Sequence, residues 1–341
     1  MVRPLRSKLS EKPTWGVVAT VKEQRNLLIA FVSYYASIGA DCIYVYLDED
    51  DVQTRDQIAT VPGCQVVLAD PAYFRNEWNC GRPKSHRRRQ RLNATNAYRR
   101  ADVDWLLHVD ADEFLICPDF RDFLAKCPED VETIRILNGE RVFAGGAARP
   151  TVFDGWQLLP GGLKPWQRKH FVNDDVRRFT DSGFCGHMLG KSVTRTGRDY
   201  RLGIHAPLKR HAFDQITSSD PALCHFDGLT ALHWMLKLLR YKDAGLNTER
   251  TRSSQFRYEQ IKYLLEAKTD GRAVERLHDS IRVYEPGLLE NLQKRGIAAP
   301  IDLDVSGAVS RFFPDSSGDL SPECFDLNLR EQMAGQYAQL A

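Results

Sequence analysis

The sequence has no apolar run long enough to cross a membrane and no strong excess of charge of either sign. Its apolar runs fall short of the roughly 18 residues that a membrane span needs. With 47 basic and 45 acidic residues, its net charge is +2, too small to mark a nucleic-acid binder. The charged start has no apolar segment behind it, unlike a secretory signal. We therefore expect a cytoplasmic protein that binds no nucleic acid and at most touches the inner face of a membrane.

Paired cysteine motifs are also missing. The eight cysteines include no Cys-x-x-Cys pair, so neither the ligand spacing of a zinc ribbon nor the motif of a thioredoxin-like redox site is present. Five of them stand beside an apolar residue, as buried free thiols do. Because reduced thiols are typical of the cytosol, we expect these cysteines to be structural and unpaired.

The first 110 residues alternate short apolar runs with helix-like segments. The runs have the length of strands buried in a sheet, and they cover 16–21, 42–47, 65–68 and 105–109. Helices are predicted over 24–38, up to about residue 60, and over 85–100. Such alternation predicts an α/β fold with a mainly parallel sheet and helices on both faces. A further strand is predicted over 131–137.

Charged residues directly follow three of these strands. Lys22 and Glu23 come after the first strand, Asp48 after the second, and Asp110 and Asp112 after the fourth. In open parallel sheets, ligands bind beyond the carboxyl ends of the strands. The sequence therefore predicts a binding site at this edge of the sheet.

Asp110 and Asp112 are the most informative of these residues. The chain has four Asp-x-Asp copies, and only this one directly follows a strongly apolar run. Two carboxylates two residues apart on an extended segment point the same way. They can share one hard divalent cation, Mg²⁺ or Mn²⁺, which keeps positions open for phosphate oxygens. The alternative interpretation is a solvated acidic turn.

Several blocks of sequence accompany this pair. The most specific is Trp-Leu-Leu-His-Val-Asp-Ala-Asp-Glu-Phe-Leu at 105–115, and the others lie at 21–24, 28–35, 38–41, 44–46, 90–93, 190–193, 203–207 and 225–226. Together they resemble bacterial family-2-like glycosyltransferases over about residues 15–241. The resemblance implies a GT-A fold, the Rossmann-like fold of nucleotide-diphospho-sugar transferases. It also implies transfer of a sugar from a nucleotide-diphosphate donor, UDP-sugars being the first expectation, to a glycan or lipid-linked acceptor. Family-2-like enzymes are generally inverting, and the sequence itself leaves inversion or retention open.

The resemblance further implies roles for individual residues. Asp110 would face the ribose and the metal, Asp112 would bind the metal, and Glu113 would orient these ligands from behind. The Mn²⁺ or Mg²⁺ cofactor would stabilise the departing nucleoside diphosphate as a Lewis acid. His225, from a late loop, is expected to contact the metal or the diphosphate, and His205 is the second choice.

Donor contacts and a general base complete the expected site. The donor contacts implied are Val21, Lys22, Glu23, Asp48, Gln90, Arg91, Asp110, Ala111 and Lys191. Inverting transfer needs a carboxylate base that takes the proton of the acceptor hydroxyl. Asp181 and Glu140 are both candidates, and the sequence does not choose between them.

Along the chain we expect a disordered N-terminal tail (1–12), a GT-A domain (13–245), and a C-terminal helical extension with its own tail (246–341). The extension could form an acceptor lid, a dimer interface or a buttress for the sheet. The sequence predicts no oligomeric state.

Two other functions share the same motifs. A nucleotidyl or phosphoryl transferase would also use paired carboxylates and a divalent ion, but it should have a glycine-rich loop after the first strand, which residues 20–25 do not form. A non-catalytic GT-A-like binding module is the other alternative. It is suggested by Lys22-Glu23-Gln24, where the family usually has Lys-Asn-Glu, and by the unassigned base.

Overall fold

The computed structural model describes residues 12–171, 174–208, 214–243, 255–267, 271–314 and 319–334. Residues 1–11 of the expected N-terminal tail lie outside the described residues, and so does the expected domain boundary at 245–246.

Packing divides the chain into two compact units. Unit 1 combines the described parts of 1–137, 189–223 and 304–317. Unit 2 combines those of 138–188, 224–303 and 318–341. Residues from the segment expected as a C-terminal extension therefore contribute to both units.

The strands, in chain order, are β1 (Trp15–Val21), β2 (Cys42–Leu47), β3 (Cys64–Leu68), β4 (Trp105–His108), β5 (Glu113–Ile116), β6 (Thr133–Ala144), β7 (Trp156–Leu158), β8 (Lys191–Arg195), β9 (Arg201–Leu202), β10 (Pro207–Leu208), β11 (Gln215–His225), β12 (Val283–Tyr284) and β13 (Ala298–Pro300). The helices are α1 (Arg25–Ser37), α2 (Val52–Ile58), α3 (Pro71–Trp78), α4 (His86–Arg100), α5 (Phe120–Ala125), α6 (Pro165–Phe171), α7 (Asp174–Arg177), α8 (Ala231–Asp243), α9 (Gln255–Glu266), α10 (Gly271–Arg282), α11 (Pro286–Lys294), α12 (Val305–Phe312) and α13 (Pro322–Ala334).

Unit 1 is built on a sheet whose first four strands are parallel. They lie in the order β3-β2-β1-β4, which is a strand order of Rossmann-like sheets. The parallel sheet predicted from the first 110 residues is therefore confirmed. β8 pairs antiparallel with β4, and the first half of β6 pairs antiparallel with β8, so the complete sheet is mixed.

The centre of unit 1 is apolar because β1 is buried along its whole length. α1 buries its apolar stripe and also contacts α12. Two tyrosines of α1 hold β5 through its backbone: the hydroxyl of Tyr34 donates to Leu115 O at 2.7 Å, and that of Tyr35 donates to Glu113 O at 2.8 Å. These bonds fix the start of β5 beside the end of β4.

Unit 2 has its own strands and core. The second half of β6 pairs antiparallel with β7 and parallel with β12, and β7 pairs antiparallel with β13. One apolar cluster of unit 2 includes Val142, Leu158, Leu163, Phe184, Leu289 and Leu292. Asp227 is also buried here, 2.9 Å from Arg257 and 3.2 Å from Arg282.

Among the described residues, no helix combines the length and the apolar character that a membrane crossing requires. All eight cysteines are free thiols, as expected, and Cys185 and Cys224 are buried.

Candidate functional site

The strand order of unit 1 changes direction between β1 and β4. From β1 the chain builds outward through β2 and β3, and it then returns through α4 to place β4 on the other side of β1. Ligands of open α/β sheets bind at the carboxyl ends of the strands where the order reverses. Asp110 follows β4 at this place, and β1 ends there with Val21. The acidic pair therefore lies where this class of fold binds its ligands.

Both carboxylate oxygens of Asp110 are held by protein donors. Gln90 Nε2 donates to Oδ1 at 2.6 Å, and Lys191 Nζ donates to Oδ2 at 2.6 Å. The side chain of Asp110 keeps 30% exposure. α4 can place Gln90 here because Asn93, one turn along, donates to Thr20 Oγ1 near the end of β1 at 3.1 Å.

Glu113 closes the turn after β4. Its Oε2 accepts the backbone N–H of Asp110 at 2.8 Å and lies 3.2 Å from Lys191 Nζ. Its side chain is fully buried, so it supports the turn from behind rather than facing solvent. Ala111 and Asp112, between the two, are buried at 4% and 7% exposure.

Lys191 is fully buried between Asp110 and Glu113. Burial lowers the pKa of a lysine, but the two negative charges outweigh it and raise the pKa of Lys191 above its usual value. Lys191, which the sequence analysis expected to contact the donor, is therefore an internal ammonium that organises the two carboxylates.

Two histidines of unit 1 point their Nδ1 atoms at backbone carbonyls. His108 donates to Gly203 O at 2.8 Å, and His205 donates to Gly190 O at 2.9 Å. Burial lowers the pKa of both to about 4, and the nearby charge of Lys191 adds to this. Both rings are neutral near pH 7, and His205 has Nε2 as its possible ligand atom.

Asp48, at the end of β2, is held in an ion-paired cluster. Arg89 binds it with two hydrogen bonds, Nε to Oδ1 at 2.7 Å and Nη2 to Oδ2 at 2.5 Å, and Arg82 Nη2 lies 2.9 Å from Oδ1. Although burial favours the neutral acid, His86 and Arg89 lower the pKa of Asp48 below its usual value. This arrangement gives Asp48 a role in anchoring the start of α4.

The other expected donor contacts lie at the same strand ends. Val21 is buried as the last residue of β1, Lys22 is exposed and pairs with Glu49, and Glu23 is half-buried. Arg91 is exposed on α4 next to Gln90.

In unit 2, Glu140 holds both a backbone segment and a histidine. Its Oε1 accepts the backbone N–H groups of Cys185 at 2.9 Å and Gly186 at 2.8 Å, and its Oε2 accepts from His225 Nδ1 at 3.1 Å. The carboxylate is fully buried. These contacts are those of a positioning group. Asp181, the other candidate base, is exposed, and its backbone pairs with Phe184.

His225 lies beside His187, a residue that the sequence reasoning missed. Their rings stack with centroids 4.9 Å apart and planes inclined by 26°, and a nitrogen of one lies within 4.8 Å of a nitrogen of the other. Because Glu140 occupies Nδ1 of His225, Nε2 is its possible ligand atom, the carboxylate–histidine arrangement common in metal sites. The pair could hold a metal ion. No spacing in the sequence links these two residues, so no signal could have found His187.

No protein-family model matches the chain, and no curated protein matches it either. Among solved structures, the chain is similar to HddC from Yersinia pseudotuberculosis, at a TM-score of 0.34 and 9% identity. The match covers 62% of this chain and 93% of the HddC chain. A likeness at this level carries no argument about function.

Proposed function

We propose that this protein is a metal-dependent glycosyltransferase with a GT-A fold. It would move a sugar, with inversion, from a nucleotide-diphosphate donor, UDP-sugars being the first class to test, to a glycan or lipid-linked acceptor. Its cofactor would be Mn²⁺ or Mg²⁺.

The observation that carries the proposal is the position of the carboxylates. Asp110, Asp112 and Glu113 follow β4 at the point where the strand order reverses, which is where open α/β sheets bind nucleotides. Carboxylate oxygens are the ligands that Mg²⁺ and Mn²⁺ prefer. The donor set therefore fits a hard divalent cation, with Asp110 and Asp112 as the residues of unit 1 that would hold it.

The positive charge of α4, the helix before β4, favours binding of an anionic ligand. α4 and the residues before it, 82–100, contain eight Lys or Arg residues and no acidic residue. Arg87 and Arg88 are exposed in the first turn of α4, where the helix dipole adds positive charge. Since Gln90, in the following turn, touches Asp110, this charge lies close to the carboxylates. A diphosphate is the kind of ligand that such a field attracts.

Sugar transfer breaks the bond between the anomeric carbon and the diphosphate oxygen and forms a bond from that carbon to the acceptor oxygen. When bound, the cation would stabilise the negative charge that collects on the departing diphosphate. The work of this chain's own residues is orientation: Gln90 and Lys191 fix the two oxygens of Asp110, and Glu113 fixes its backbone. The acceptor proton requires a base. The exposed Asp181 remains a candidate, whereas the contacts of Glu140 favour positioning.

The proposal is tested by calorimetric binding of UDP, GDP, CDP, ADP and UDP-glucose, with and without Mn²⁺. We expect one nucleotide to bind only with the metal, and Asp112→Asn to weaken that binding by at least about tenfold, or about 1.4 kcal/mol. Asp302→Asn is the matched control, because Asp302 is an exposed residue of another Asp-x-Asp copy, and it should bind as the wild type does.

The products separate the alternatives. A glycosyltransferase releases the nucleoside diphosphate from its sugar donor, and a nucleotidyl transferase instead releases pyrophosphate from a nucleoside triphosphate. Metal-dependent binding without either product would indicate a binding module. If no nucleotide binds in the presence of Mn²⁺, the transferase proposal is wrong.

A further inference from the structure

We infer that Lys191 is the built-in counter-ion of the Asp110–Glu113 cluster, and that it limits how tightly a divalent cation binds there by sharing Asp110 with it. This inference rests on the proposed function, because it concerns the same site. It makes Lys191 a positioning residue that tunes metal affinity, not a residue that contacts the donor.

Lys191 occupies a position beside the Asp110 carboxylate, where a bound cation would compete with it. Its Nζ lies 2.6 Å from Asp110 Oδ2 and 3.2 Å from Glu113 Oε2, with no exposure to solvent. An ammonium can donate three hydrogen bonds, so Lys191 can pair with both carboxylates at once. The other oxygen of Asp110 already accepts from Gln90. A cation that binds Asp110 must therefore share a carboxylate that two protein donors already hold.

The backbone keeps Lys191 in this place. It is the first residue of β8 and pairs with Ile136 of β6. Gly190, just before it, has a φ of +65°, and a Cβ there would lie 2.3 Å from Ile136 O. Only glycine fits at position 190, directly before the strand begins. The strand pairing holds the backbone of Lys191, so the side chain is the part that we expect to yield to a cation.

The count of charges at the site explains why Lys191 would weaken cation binding. The carboxylates of Asp110, Asp112 and Glu113 carry three formal negative charges, and Lys191 cancels one. The two that remain match the charge of one divalent cation. Without the ammonium, the same turn would attract a cation more strongly, and with less dependence on the phosphates of a nucleotide.

The test is Mn²⁺ binding followed by electron paramagnetic resonance, with no nucleotide present. Lys191→Gln removes the charge but keeps a donor for the two carboxylates, and we expect Mn²⁺ to bind at least about tenfold more tightly. Lys12→Gln is the matched control, because Lys12 also pairs with two carboxylates, Asp119 and Asp122, but on the surface. It should leave the affinity unchanged.

If Lys191→Gln alone does not fold, a second comparison uses Glu113→Gln and the double variant, in which both charges are removed. Glu113→Gln alone should weaken Mn²⁺ binding, and adding Lys191→Gln to it should restore an affinity close to that of the wild type, since the net charge is then the same. If Lys191→Gln fails to tighten binding in either background, the inference is wrong.

Asp112→Asn separates this failure from that of the proposed function. If Asp112→Asn weakens Mn²⁺ binding and Lys191→Gln leaves it unchanged, the inference is wrong and the transferase proposal stands. No Mn²⁺ binding by either the wild type or Lys191→Gln, with or without UDP, would overturn both the inference and the metal dependence of the proposed function.

Discussion

Replacing Asp227 with asparagine should lower the free energy of unfolding by about 3 kcal/mol or more. The carboxylate is almost fully buried, with Oδ2 2.9 Å from Arg257 and 3.2 Å from Arg282, and Oδ1 3.4 Å from Lys237. Removing one partner of a buried ion pair typically costs about 3–5 kcal/mol, because the remaining charge stays buried without compensation. Arg282 also lies 3.8 Å from Glu140, which places our expectation at the lower end.

The same substitution should disturb the histidine pair of unit 2. Arg257, beside Asp227, donates to Gln260 Oε1 at 2.8 Å, and Gln260 Nε2 donates to Cys185 O at 3.1 Å. This chain of hydrogen bonds reaches the segment that carries His187. If His187 and His225 hold a metal ion, Asp227→Asn should therefore also weaken its binding.

The pH dependence of stability gives an independent readout. Burial disfavours the charged form of Asp227, but Arg257, Lys237 and Arg282 outweigh it, so its pKa in the folded protein lies well below the usual value. A depressed folded pKa contributes stability above the unfolded pKa of about 4, and this contribution is lost as the pH falls through the folded value. The variant should lack this part of the acid-induced loss of stability.

Urea unfolding at pH 7 measures the predicted effect. Wild type, Asp227→Asn and the exposed control Asp302→Asn should unfold with similar m-values, and only Asp227→Asn should lose stability. A loss below about 1 kcal/mol would show that the two arginines need no shared anion. The reasoning about this cluster would then be refuted.

The parallel half of the sheet could be predicted because β1, β2 and β4 are buried along nearly all of their length, while the edge strand β3, only partly buried, is still an apolar run. The predicted run 42–47 is β2 itself, and those at 16–21, 65–68 and 105–109 differ from β1, β3 and β4 by one residue at one end. An uninterrupted apolar run is what such burial requires. β6 was predicted to end near residue 137, yet it continues to Ala144.

The second half of β6 escaped prediction because it buries charge. Glu140 and Arg141 are both almost fully buried, and their partners lie far along the chain: His225 for Glu140, and the carbonyl oxygens of Gly228 and Leu229 for Arg141. A pattern of polarity read along one segment cannot show that distant groups will compensate a buried charge.

Some residues of the candidate site could be predicted from the sequence and others could not. Asp110 could be placed because it directly follows an apolar strand, and a strand end is a local feature of sequence. The burial of Lys191 depends on β8 pairing with β4 and β6, and the contact of His187 with His225 depends on tertiary packing. Such long-range contacts leave no periodicity in one sequence.

Two further predictions follow from local geometry. Gly190→Ala should destabilise the protein by about 2 kcal/mol or more, because an added Cβ meets Ile136 O at 2.3 Å and the φ of +65° disfavours any side chain; urea unfolding measures this, and an unchanged midpoint would contradict it. Burial raises the pKa of Cys185 to about 12 and that of Cys224 further above its usual value. Because the thiolate is the reactive form, both should resist iodoacetamide at pH 8 until urea unfolds the chain, as mass spectrometry of the labelled peptides would show. Labelling of either thiol in the folded protein would mean that unit 2 opens locally without global unfolding, and the buried Glu140–His225 contact beside them would then be exposed to solvent as well.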